Sequence, residues 1–119
     1  VHVYDIAGNE IGLISQRLFT FLPTFDISVG GRPCGSIRKE FTFFKPSYSI
    51  EYGGWQCDGD FLSWNYSVTA GSRLVANIAK QLLSWGDTYT LDISDPGDEI
   101  MALMLVIAID AANCSQNNN

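Results

Sequence analysis

The run 100–109, IMALMLVIAI, holds ten apolar residues and no charge, with Glu99 before it and Asp110 behind it. A helix that is apolar on every side has no face for water, so it must be wrapped by protein or sit in lipid. Ten residues rise about 15 Å as a helix, roughly half of a hydrocarbon core that takes about 20 residues to cross. The run therefore reads as a helix buried in a protein core, with no transmembrane segment. In front of it, Asp95-Pro96-Gly97-Asp98-Glu99 is a turn followed by an acidic first helical turn. Asp98 is the expected N-cap, and both carboxylates suit the positive end of the helix dipole. Behind it, Asn113 is the expected C-terminal stop, before a polar tail.

Ahead of Asp95 the sequence shows short β-type runs separated by turn signals at hairpin spacing. The runs are 3–6, 11–19, 25–29, 33–43, 48–52, 62–68, 74–83 and 88–93, which predicts eight strands before the helix. One pattern recurs three times, anchored on Ile14, Ile37 and Ile78. Seven residues on stand Phe21, Phe44 and Trp85; eleven on, Phe25, Tyr48 and Tyr89; thirteen on, Ile27, Ile50 and Leu91. A repeated hairpin cannot cover its apolar face alone, so the units are expected to pack side by side into a sheet that curls around the helix. Phe43 and Phe44 cannot both face inward on a regular strand, which places one of them at a bulge or a rim.

Strand parity puts Ile14, Gln16 and Leu18 on one face, with Ile37, Lys39 and Phe41, and Ile78, Lys80 and Leu82, in the other copies. A polar residue thus stands in the middle of each apolar face, and twice it is lysine. Lys39 and Lys80, with Arg17 and Arg38 beside them, are the cations the repeat organises. Two readings follow: a site for a phosphate or lipid head group, or a structural role in which the lysines snorkel to a barrel rim or pair with an inward carboxylate such as Asp60, Asp92 or Asp110. Asp110, as a carboxylate closing the helix, would oppose the dipole, and pairing with one of these lysines would compensate.

The chain carries a net charge of -6, which disfavours nucleic acid and, unless its seven Lys and Arg are focused, anionic lipid. Three cysteines, Cys34, Cys57 and Cys114, fit neither a disulfide framework nor a zinc site. Asp58-Gly59-Asp60 and the acidic residues from Asp95 to Glu99 lack the alternating oxygen ligands of a calcium loop. His2 is the single histidine, so no catalytic or imidazole-metal set is legible, and neither an enzyme nor a cofactor is expected.

The strings Tyr4-Asp-Ile-Ala-Gly-Asn-Glu, Ile14-Ser-Gln, Phe21-Leu-Pro, Ile37-Arg-Lys-Glu-Phe-Thr-Phe-Phe-Lys-Pro and Ser84-Trp-Gly-Asp-Thr-Tyr, with the closing apolar helix ending Ala108-Ile109-Asp110, resemble the LURP-one-related family of tubby C-terminal-like domains. The resemblance spans essentially the whole chain. It implies a mainly β fold, a barrel of antiparallel hairpins with the hydrophobic C-terminal helix through its centre, as in tubby and phospholipid scramblase barrels. Residues 1–119 are then a single domain that lacks N-terminal strands present in relatives. The implied function is a cytoplasmic, non-enzymatic binding module, peripheral at a membrane if it recognises an anionic phospholipid head group or small anion. The alternative is a structural or regulatory protein acting through a protein partner.

Overall fold

The computed structural model describes the backbone of residues 1–18, 20, 22–42, 45–60, 65–83 and 86–117; the side chains described are those of the same residues apart from 41, 42, 45, 46, 60, 81–83, 86, 87 and 113–117. The described strands are β1 (His2–Tyr4), β2 (Glu10–Gln16), β3 (Thr24–Val29), β4 (Arg32–Thr42), β5 (Lys45–Glu51), β6 (Trp55–Asp60), β7 (Asn65–Ala70), β8 (Arg73–Leu83) and β9 (Gly86–Ile93). A 3-10 turn (Pro96–Asp98) leads into the helix α1 (Glu99–Asn117). The run expected at 62–68 overlaps β7, and β6 is a further strand that no expected run covers, because Gly59 stands where an apolar side chain would continue the face of Trp55 and Cys57. Residues 61–64 lie outside the described residues, as do Phe19, Phe21, Phe43, Phe44, Trp64 and Trp85.

The hairpin repeat is realised as a common register. Ile14 faces Ile27, Ile37 faces Ile50 and Ile78 faces Leu91, while two residues along Gln16 faces Phe25, Lys39 faces Tyr48 and Lys80 faces Tyr89. The structure extends the repeat further than the sequence pattern did. β3-β4-β5 and β7-β8-β9 have matching registers at a 41-residue offset, down to a bulge after Ile27 in one and after Val68 in the other. Gly30 and Gly31, both at positive φ, make the two-residue turn between β3 and β4, a backbone that suits the twist of the flanking strands.

These ladders form two antiparallel sheets, β1-β2-β3-β4-β5 and β6-β7-β8-β9. The closed barrel expected from the sequence is not formed among the described residues, because β5 does not join β6 and β9 does not join β1. At the first gap the Trp55 N–H donates to the Tyr52 carbonyl at 2.8 Å across the Gly53-Gly54 turn, and the Trp55 ring packs edge-on against Tyr52 at 4.8 Å, but no ladder follows beyond the turn among the described residues. At the second, β1 is three residues long with an irregular register, too little edge to bridge to β9.

The helix still carries the core. Ala102, Met104, Leu105, Ala108, Ile109 and Ala112 have no exposure, and they pack with Ile14, Ile27, Ile37, Val68 and Ile78 from the sheets. Burying each large aliphatic side chain stabilises the fold by about 1.5–3 kcal/mol. Gly12 lets the Met104 side chain lie directly on β2, since a Cβ there would overlap its Sδ and Cε. The helix is not wrapped all round, however: Ile100 is 44% exposed and Leu103, Ile107 and Ala111 are partly exposed, a single stripe at helical spacing. Two expectations about its ends change. A 3-10 turn precedes the helix and is capped by Asp95, which accepts from the Gly97 N–H at 2.9 Å, while Asp98, expected as the helix N-cap, is the last residue of that turn and receives Arg73 Nη1 at 3.0 Å. Asn113 does not stop the helix, which continues to Asn117, so Asp110 is an interior helical residue.

Candidate functional site

The shared register places Lys39 and Lys80 on the inner face, each across from a tyrosine. Lys39 is 3% exposed, and this burial lowers its pKa by penalising the charged form. Lys80, with a side chain 9% exposed, sets its Nζ 3.6 Å from Asp110 Oδ1 and 5.3 Å from the centroid of the Tyr89 ring. Tyr89 donates its hydroxyl to the same Oδ1 at 2.8 Å. One carboxylate of the core helix therefore collects a cation from β8 and a phenol from β9, and ties the last sheet to the helix. Asp92, the other named candidate, is exposed on β9; the Asp60 side chain is outside those described.

Around this knot lie further buried polar groups. Tyr48 and Tyr66 have phenols pushed well above the usual range, first by burial and then by the negative surroundings of Cys57 and Asp110. Cys57 is pushed up to about 12, by burial and then by Asp58. All three stay protonated at neutral pH, which suits packing and hydrogen bonding and removes any thiolate or phenolate nucleophile. Gly59 makes the arrangement possible: its backbone runs so near β7 that a Cβ would stand 2.6 Å from Tyr66 Cα.

Arg17 and Arg38 are on the opposite, outer side. Arg17 grips Asp26 through Nη2 at 2.7 Å and Nε at 3.0 Å, and Arg38 reaches Glu40 through Nη2 at 2.7 Å and Nε at 3.1 Å. The bond to Asp26 holds the Arg17 charge still more firmly than usual. With Thr24, Ser36, Ser49 and Glu51 the two arginines line a cavity of about 50 Å³. The four cations singled out from the sequence thus fall into two groups separated by the sheet.

A third feature was not anticipated. A groove of about 640 Å³ follows the gap between β5 and β6, lined by Ser49, Gln56, Cys57, Asp58, Ser67 and Thr69 among others. The signal in the sequence was Gly53-Gly54 between two aromatic residues, a tight turn that ends one sheet and begins the next. Among the described residues no three His, Cys, Asp or Glu side chains gather as a metal site, and no helix is long and apolar enough to cross a membrane.

An antiparallel β scaffold packed on a C-terminal core helix, with a lysine–aspartate–tyrosine knot inside, is the class of protein these observations define. The family model described as LURP-one-related matches residues 1–110, and the chain belongs to that family. It is similar to the uncharacterized protein YxjI of Bacillus subtilis (strain 168), 33% identical over 106 residues. That match covers 89% of this chain and 65% of the relative, so the chain spans about two thirds of that protein's length. No solved structure gives a match.

Proposed function

We propose that this chain is a non-enzymatic binding module, built as an opened form of the tubby-like barrel, that works through a polypeptide partner taken at a strand edge. One observation carries the reading: β1, β5, β6 and β9 all end sheets, so the scaffold offers edge N–H and C=O groups on both sides of its core helix. The cations support it from the other direction, because Arg17, Arg38, Arg73 and Lys80 each sit against a carboxylate that an incoming anion must displace. A photo-crosslinking side chain introduced on an edge strand at Gln56, compared with one on the sheet-interior strand β4 at Arg32, tests this in cells. A discrete protein adduct from the edge position alone supports the proposal, and equal or absent labelling at both positions counts against it.

A second reading has its own observation. Arg17 and Arg38 line one small cavity with the hydroxyls of Thr24, Ser36 and Ser49, an arrangement suited to a phosphate or a phospholipid head group. An anion there must displace Asp26 and Glu40, both already bound to the arginines, and Glu51 in the wall opposes it. Lys39 and Lys80 face the interior and would join such a site only after the core helix moved. Under the first reading the module acts in the cytoplasm; under the second it is peripheral at a membrane.

A further inference from the structure

Burial fades across β9. On β8, Ile78 is 1% exposed and Ala76 is fully buried, while Leu91 and Ile93, which face them from β9, are partly exposed. The exposed stripe of the core helix, Ile100, Leu103, Ile107 and Ala111, opens on the same side. Asp110 borders that stripe on one flank and reaches Tyr89 and Lys80, whereas Met104 borders it on the other and lies on Gly12 of β2. The stripe therefore looks out between β9 and the β1-β2 end of the first sheet, where the two sheets do not join.

The backbone of β9 fits that gap to a strand. The Ser94 N–H donates to the Val75 carbonyl at 3.0 Å, on the β8 side. Alternate residues of an antiparallel strand turn their N–H and C=O groups the same way, so Leu91 and Ile93 turn theirs to the outer edge, where no strand pairs among the described residues. Asp92 stands between them on the outer face and is exposed, and Asp95 and Glu99 are exposed where β9 passes into the helix. On a chain of net charge -6 this rim repels a second copy and an anionic surface. We propose that a short segment of another protein adds to β9 as an antiparallel strand and covers the helix stripe; this rests on the polypeptide-partner reading above. The residues opposite Ile93 and Leu91 exchange backbone hydrogen bonds with them, face inward and are apolar. The residue opposite Asp92 faces outward at the closer, non-hydrogen-bonded spacing and is lysine or arginine. The residue opposite Thr90, also outward and exposed, is polar. From its N-terminus the recognised pattern is therefore apolar, basic, apolar, polar.

The test is an amide chemical-shift titration of the 15N-labelled chain with the blocked peptide acetyl-Gly-Val-Lys-Val-Thr-Gly-amide, at low salt and millimolar concentration. The expected result is saturable shifts at Leu91, Asp92 and Ile93 and at Ile100 and Ile107, with slowed exchange of the Leu91 and Ile93 amides. Replacing the peptide lysine by glutamate, or N-methylating its valines, should weaken binding at least fivefold, and so should Asp92→Asn in the protein. Asp92 is exposed, so that variant keeps its fold, checked by unchanged shifts on β3. Shifts confined to β1, β5 and β6 would overturn the β9 site while leaving an edge-binding module. Equal binding of the glutamate peptide would overturn the assigned chemistry. A concentration-dependent dimer without peptide, with the same β9 shifts, would make the occupant a second copy and overturn the proposal. No saturable shift anywhere would also overturn it. In that event a photo-crosslinked protein adduct in cells from Gln56 and none from Thr90 would leave the polypeptide reading standing, and none from either would overturn that reading too.

Discussion

Asp110 and Lys80 should be unequal partners when removed one at a time. Asp110→Ala removes a carboxylate that stands 3.6 Å from a lysine with a side chain 9% exposed, and it also removes an acceptor of the Tyr89 hydroxyl. Breaking a fully buried pair costs about 3–5 kcal/mol, but the Asp110 side chain is 39% exposed and the contact is 3.6 Å, so the ion pair accounts for about 1 kcal/mol. The hydrogen bond from Tyr89 to a half-exposed carboxylate adds about 1 kcal/mol. Asp110→Ala is therefore expected to lose about 2 kcal/mol, roughly 8 °C in Tm for a domain of this size. Lys80→Met leaves an aspartate that water reaches and puts an apolar chain in an apolar wall, so it should cost under about 1 kcal/mol. Urea unfolding of the wild type, both single variants and the double variant, followed by tryptophan fluorescence, gives the coupling directly. A coupling near zero, or Lys80→Met costing more than Asp110→Ala, would refute the pinning of the helix by this knot.

Three further outcomes follow from close approaches and buried groups. Gly59→Ala should cost about 3 kcal/mol or more, because the new Cβ meets Tyr66 Cα at 2.6 Å at a φ of +145°, and backbone cannot swing aside; chemical denaturation measures it. Gly12→Ala should cost about 1–3 kcal/mol, chiefly through the Met104 side chain and secondarily through the Ser28 carbonyl oxygen at 3.1 Å, and adding Met104→Val should recover part of that loss in a thermal melt. The Cys57 thiol is raised from 9.0 to about 12, so the unfolded chain releases its proton first; the resulting stability is complete below pH 9 and is lost as pH rises from 9 towards about 12. The stability difference between wild type and Cys57→Ala, read by urea unfolding from pH 8 to 11, should therefore shrink or reverse above pH 9.

The repeat was legible because it combines two periodicities, alternation within strands and a constant spacing from each anchor to its cross-strand partner. Ile37 with Ile50 and Lys39 with Tyr48 follow from it directly, and so does the inward direction of both lysines. Asp110 as partner of Lys80 was legible as one of three acidic candidates, since a cation on an apolar face requires a carboxylate and only geometry chooses which. What the sequence hid has physical causes. β6 lacks an apolar alternation because Gly59 makes room for Tyr66, so a packing requirement erased the strand signal. Asn113 is a weak stop with no Gly or Pro behind it, and the helix runs on to Asn117; Asp95 caps a 3-10 turn that Pro96 starts ahead of the helix. Closure of the sheets depends on whether edges meet, which no local pattern encodes. Arg17 and Arg38 looked like neighbours of the lysines in sequence, yet strand parity sends Arg38 outward, and the chain beyond β2 carries Arg17 to the same outer side.

The sharpest measurement is co-sedimentation with vesicles, neutral against phosphoinositide-containing, at low and high salt, for the wild type and an Arg17→Glu/Arg38→Glu variant shown to be folded. If the cations stay with their carboxylates and the strand edges do the binding, the protein stays in the supernatant with both kinds of vesicle at either salt. Salt-sensitive pelleting with the anionic vesicles, abolished in the folded variant, would contradict this and make the two arginines a lipid site.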